Sequence, residues 1–133
     1  MTTFSSRFSF ASKYNTERLF DVDTSGFEYV SLEAIYNQLL QQYEGDISEV
    51  EKHILPIHGL YINTKGNYDD APVAALDDCY VNLPAHLTET VREVLKDSKA
   101  ILAINEGHVG ITVYQYHQRR FNKDCYSIRW VDM

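Results

Sequence analysis

Two short polar stretches carry the residues best suited to chemistry, and in each a cation stands beside an aromatic ring. The first is Thr64-Lys65-Gly66-Asn67-Tyr68-Asp69-Asp70; the second is Gln118-Arg119-Arg120-Phe121-Asn122-Lys123-Asp124. That pairing suits single-stranded nucleic acid, because cations follow phosphates while flat rings stack on bases, each stacked base contributing about 1–3 kcal/mol. The segment before the second stretch adds Tyr114 and Tyr116, and the segment after it adds Arg129. The expected contact set is therefore Lys65, Arg119, Arg120, Lys123 and Arg129 for phosphates, with Tyr68, Tyr114, Tyr116 and Phe121 for bases. Asp69 and Asp70 oppose it at the first stretch, since they repel a phosphate backbone. Both stretches also read as plain solvated turns.

Catalytic arrangements are missing from the sequence. There are five His, two Cys and many Asp, yet no Ser/His/Asp order, no His pair at helical spacing and no glycine loop for phosphate. His53 and His58 flank Pro56 and lack a third ligand. The run Asp21–Gly26 (DVDTSG) begins like a calcium loop, but no ligand run or closing Glu follows. The expectation is a protein that is not an enzyme and holds no cofactor or metal. Cys79 and Cys125, far apart and in no metal-ligand spacing, read as reduced structural thiols.

The elements that would position the two stretches follow from pattern. Ile54, Leu55, Ile57, Leu60 and Ile62 make a long apolar strand in His53–Thr64, interrupted at Gly59, where a strand can bend. Val73–Leu76 and Cys79–Leu83 predict two more strands around an Asp77-Asp78 turn. Pro84 then opens a helical segment to Glu106, in which Leu87, Val91, Val94 and Leu95 form one buried stripe, Ser98 re-caps a second helix and Gly107 stops it. Val109–His117 and Cys125–Val131 alternate as the strands of a last hairpin. Upstream, Phe27–Val30 predicts a short strand and Ser31 caps a helix over Leu32–Tyr43, ended by Gly45. Glu44–Lys52 reads as a flexible acidic connection.

This order predicts an α+β fold: a five-stranded, partly open barrel like the oligonucleotide-binding (OB) fold, with a helix between strands three and four. The 133 residues form one domain, with 1–52 as an N-terminal extension carrying one helix and 53–133 as the barrel. In such a barrel the loops between the first two and the last two strands frame the groove, and those loops are the two stretches above. Burial is expected for Leu55, Ile57, Leu60, Ile62, Val73, Leu83, Val91, Leu95, Ile111, Val113, Ile128 and Trp130.

Charge narrows the partner. The net charge of −7 argues against a general polyanion binder unless cations are segregated, and they are so in part. Residues 107–133 hold Arg119, Arg120, Lys123 and Arg129 against Asp124 and Asp132. Ten Tyr, with six Phe and one Trp, suit a wet binding surface or half-solvated strands. The acidic remainder supports a rival: an acidic protein-interaction module, or an inhibitor of a host nucleic-acid enzyme, presenting Glu44, Asp46, Glu49 and Glu51. No apolar run is long enough for a signal peptide or membrane span, so the expected location is cytoplasmic.

At Tyr61–Val73 (YINTKGNYDDAPV), Tyr80–Leu87 (YVNLPAHL) and Cys125–Asp132 (CYSIRWVD), the chain resembles small proteins of Gram-positive phages and mobile elements. The resemblance covers about two thirds of the chain. It implies a mobile-element setting, where small OB-fold proteins that bind single-stranded DNA are common, and it assigns no catalytic residues. The N-terminal extension leaves open a specialised role there, such as inhibiting a host defence protein.

Overall fold

Helix α1, Leu32–Gln42, begins at Ser31, whose hydroxyl accepts from the Ala34 amide at 3.1 Å. Leu32, Ile35, Tyr36 and Leu39 recur at helical spacing and are all buried. The chain then reverses through Glu44 and Gly45, both at positive φ (53° and 86°), the left-handed geometry that ends helices. These residues belong to a computed structural model that describes residues 19–63 and 71–133.

The connection after α1 is largely helical, where the reading of Glu44–Lys52 expected a flexible link. Ile47–Lys52 forms a short helix, α2, capped by Asp46, whose carboxylate accepts from the Glu49 amide at 3.3 Å. Val50, fully buried, anchors it. One cap and one apolar side chain suffice here because the tertiary contact, not helix propensity, holds so short an element.

The strands form two sheets. In the first, β1 (Tyr29–Val30), β5 (Tyr80–Asn82), β4 (Ala71–Ala75) and β3 (Gly59–Asn63) lie side by side in that order. β1 runs parallel to β5, and the other pairs are antiparallel. In the second, β6 (Val109–Gln118) lies between β2 (Leu55–Pro56) and β7 (Lys123–Asp132), all antiparallel. The stretch 55–63 thus serves both sheets: Leu55 pairs with Ile111 in one and Gly59 with Ala75 in the other. The turn between them is held by the Ile57 amide on the Val109 carbonyl (3.1 Å) and the His58 amide on the Ala75 carbonyl (2.8 Å).

The expected single five-stranded barrel is corrected accordingly: among the described residues the strands make two sheets that do not close. The edge of β5 is taken by β1, so it is not available to the last strand. The α+β class stands.

A 3-10 turn (Ala85–Leu87) leads into α3 (Thr88–Leu95), which packs on β3 and β4 and is followed by α4 (Ser98–Asn105). The cap of α4 is Asp97, not Ser98; its carboxylate accepts from the amides of Lys99 (3.0 Å) and Ala100 (3.4 Å). At the end of α4, Asn105 reaches back to the Asp21 amide (2.9 Å) and the Leu19 carbonyl (3.1 Å), which pins the buried Phe20 to the body. Ile57, Leu60, Val81, Val91, Ile111 and Val113 make one core with the apolar stripe of α1. Val73, Leu83 and Ile128 are buried as expected, whereas Leu55, Ile62 and Leu95 are half-buried. Trp130 departs from expectation at 37% exposed. It shares a face with the buried Ile111, but among the described residues β7 is the sheet's edge and no further strand covers it.

Candidate nucleic-acid interface

The β6–β7 hairpin pairs without interruption from Val109 with Asp132 to Gln118 with Lys123. Its two halves differ. At the root, Gly110, Ile111, Thr112 and Val113 are buried, so both strand faces are covered; toward the tip, Gln115, Tyr116 and His117 are exposed. The distal half is a two-stranded arm in water.

Strand alternation puts Tyr114, Tyr116, Lys123 and Arg129 on one face of this arm. The Arg129 guanidinium carbon lies 4.3 Å from the centre of the Tyr114 ring, a cation–π distance, and Tyr114 is followed by Tyr116 at 6.1 Å between ring centres. The opposite face is occupied by internal pairs. Gln115 Nε2 donates to Tyr126 Oη at 3.0 Å, and His117 Nδ1 lies 3.1 Å from Asp124 Oδ1. At the tip, Arg119–Phe121 forms a 3-10 turn that ends on Asn122 at φ 46°, a left-handed position Asn tolerates. Phe121 is 60% exposed, with the Arg120 guanidinium 5.4 Å from its ring centre. The structure therefore brings together Tyr114, Tyr116, Lys123 and Arg129 on one face and sets Arg119, Arg120 and Phe121 at its end. Lys65 and Tyr68 lie outside the described residues. Arg129 is shared: its Nη1 is 3.7 Å from Glu51.

A second aromatic surface escaped the sequence reading. Across the four-stranded sheet, Tyr29, Tyr80, Ala75 and Gly59 lie in one row, and Asn82, Val73 and Tyr61 in the next row of the same face. The alternate residues Val30, Val81, Ala74 and Leu60 face the core. The ring of Tyr61 folds back over Gly59; a Cβ there would stand 2.7 Å from its hydroxyl, so a side chain at 59 would push the ring aside. Rings then follow one another in contact. Phe20 meets Tyr61 at 5.6 Å, Tyr61 meets Tyr80 at 5.9 Å, and Tyr80 meets Phe27 at 5.5 Å and Tyr29 at 4.9 Å. Ala75 and Val73 are buried within this face, while Tyr29 is 56% exposed. Burial, and then the neighbouring Tyr80, push the Tyr61 phenol up to about 12. The only advance signal for this surface is the surplus of tyrosine.

The remaining chemically capable residues are engaged elsewhere. His53 Nδ1 lies 2.7 Å from Tyr43 Oη, and His58 Nε2 lies 2.6 Å from Asp77 Oδ1. Asp23 accepts from the Ser25 amide at 3.0 Å within its turn. Among the described residues, no three His, Cys, Asp or Glu are arranged to hold a metal ion. Cys79 and Cys125 are not disulfide-bonded; burial, then Asp78, raises the Cys79 thiol above its ordinary value. No described helix is long and apolar enough to cross a membrane. In the acidic patch of the rival reading, Asp46 caps α2 and Glu51 pairs with Arg129. No family model, curated protein or solved structure matches the chain.

Proposed function

We propose that this chain is a non-catalytic single-stranded nucleic-acid-binding protein of a phage or mobile element, acting through the β6–β7 arm. One observation carries the reading: one face of the arm gathers Arg129, Tyr114, Tyr116 and Lys123, with the Arg129 guanidinium over the Tyr114 ring. Two neighbouring rings lie between two cations there, so bases can stack while phosphates meet charge. The basic tip of Arg119 and Arg120, with Phe121, extends that face. The connection order supports the OB-like part of the reading. Stretch 55–63, β4, β5, the α3–α4 pair, β6 and β7 follow one another as in that barrel, with the first strand shared between sheets. β1 occupies the edge where such a barrel would close.

The rival, an acidic module or enzyme inhibitor using Glu44, Asp46, Glu49 and Glu51, is the weaker reading because two of those carboxylates have internal partners. Titration of labelled oligo-dT and its duplex by fluorescence anisotropy, at two salt concentrations, tests the proposal. The expected result is preference for the single strand with a shallow salt slope, roughly −0.7 for each phosphate neutralised. Absence of binding at micromolar protein in low salt would overturn it.

A further inference from the structure

We infer that the aromatic face of the β1-β5-β4-β3 sheet docks a basic, extended segment of another protein, receiving its Arg or Lys side chains on Tyr29 and Tyr80. The rings by themselves would take any flat or apolar group; the charge around them selects. Among the described residues, the strands of this face and their flanks, 19–30, 55–63 and 71–84, include no Lys or Arg, but they hold Asp21, Asp23, Glu28, Asp77 and Asp78. Glu28 stands between Phe27 and Tyr29, and Asp78, with the Asp77 that already faces His58 at 2.6 Å, forms the turn that delivers Tyr80. A polyanion is repelled from such a surface, whereas a guanidinium gains twice, from the ring faces and from the carboxylate field. The ring chain starts on the buried Phe20, and its partly open members run in contact from Tyr61 through Tyr80 to the exposed Tyr29, a short strip rather than a cup. That shape fits successive cationic side chains on an extended backbone and not a single small amine.

The test uses the full chain and a fluorescein-labelled peptide of alternating Arg and Gly, followed by anisotropy at two salt concentrations. A control peptide carries Glu in place of each Arg. The Arg peptide should bind and the Glu peptide should not, and binding should weaken with salt. Tyr29→Ala, at an exposed edge position that leaves the core intact, should weaken binding about fivefold, or about 1 kcal/mol. Asp77→Asn with Asp78→Asn should weaken it further and flatten its salt dependence. No binding of the Arg peptide, equal binding of both peptides, or an unchanged affinity in Tyr29→Ala overturns the inference. Loss of oligo-dT binding in Tyr29→Ala also overturns it, by assigning the strip to nucleic acid. Self-association abolished by Arg119→Glu with Arg120→Glu would overturn it too, naming the basic tip of a second copy as the occupant. The peptide arms remain readable if oligo-dT fails to bind, so this inference and the nucleic-acid reading fail separately.

Discussion

The β6–β7 arm and the four-stranded sheet both display tyrosines at alternate strand positions, but in fields of opposite sign. On the arm, Tyr114 lies under Arg129, with Lys123, Arg119 and Arg120 beyond it. On the sheet, Tyr29 and Tyr80 stand among Glu28, Asp77 and Asp78. A ring contributes stacking area in either place, and its charged neighbours decide what may be stacked. The net charge of −7 hides this, because it averages over two surfaces that should attract opposite ligands.

The largest effect should come from breaking the joint between the two regions. Ile57 is fully buried where stretch 55–63 leaves one sheet for the other, and Ile57→Ala should destabilise the fold by about 2–5 kcal/mol, read by urea unfolding. Both binding activities should then fall together on denaturation, through one transition. Two separate transitions would show that arm and sheet are independent units.

Charge reversal at the tip should separate the regions. Arg119→Glu with Arg120→Glu should weaken oligo-dT binding at least tenfold, about 1.4 kcal/mol or more, and leave binding of the Arg peptide to the sheet unchanged. A loss of both would mean that the two surfaces form one site.

A smaller change sharpens the sheet side. Gly59→Ala places a methyl against the Tyr61 hydroxyl, so the ring must swing off the strand. The cost should be about 1–3 kcal/mol, with a changed near-UV tyrosine signal and unchanged oligo-dT affinity.

The smallest effect is confined to alkaline solution. The phenol of Tyr61 ionises at about 12 in the folded chain against an ordinary value of 10. The folded state therefore favours the neutral form. That contribution is fully present below pH 10 and is lost as pH rises through about 12. Tyr61→Phe cannot ionise, so its alkaline unfolding midpoint should lie above that of the parent, followed by circular dichroism. An unchanged midpoint would show that Tyr61 is open to water.

What could be read from the sequence was what depends on near neighbours. The alternation of Val109–His117 and Cys125–Val131 marked the hairpin and put Tyr114 and Tyr116 on one side of their strand; that Arg129 shares this side comes from the register of the pairing. Ser31 and the spacing of Leu32, Ile35 and Leu39 marked α1 correctly. Helix α2 was missed because its evidence is one cap, Asp46, and two apolar residues, Ile47 and Val50, within an acidic run. The exposure of Trp130 depends on β7 being an edge, a property of the whole sheet that local alternation cannot express. The aromatic strip was illegible for the same reason. Phe20, Phe27, Tyr29, Tyr61 and Tyr80 are scattered through the chain and meet only through register, including the parallel pairing of β1 with β5. The two-sheet division follows from that same pairing.

That pairing also has a kinetic side. β6 and β7 are joined by one tight turn and can zip within microseconds, the time in which hairpins form. Tyr29 must find Tyr80 across the whole intervening chain, and only two residues reward the closure of so long a loop. The arm should thus form early, and the β5 edge should wait longest for its neighbour. In native-state hydrogen exchange, the Tyr80 amide, bonded to the Glu28 carbonyl at 2.9 Å, should exchange well before amides at the hairpin root. For a newly made chain, the interval before β1 docks is when an unpaired strand edge is open to another molecule.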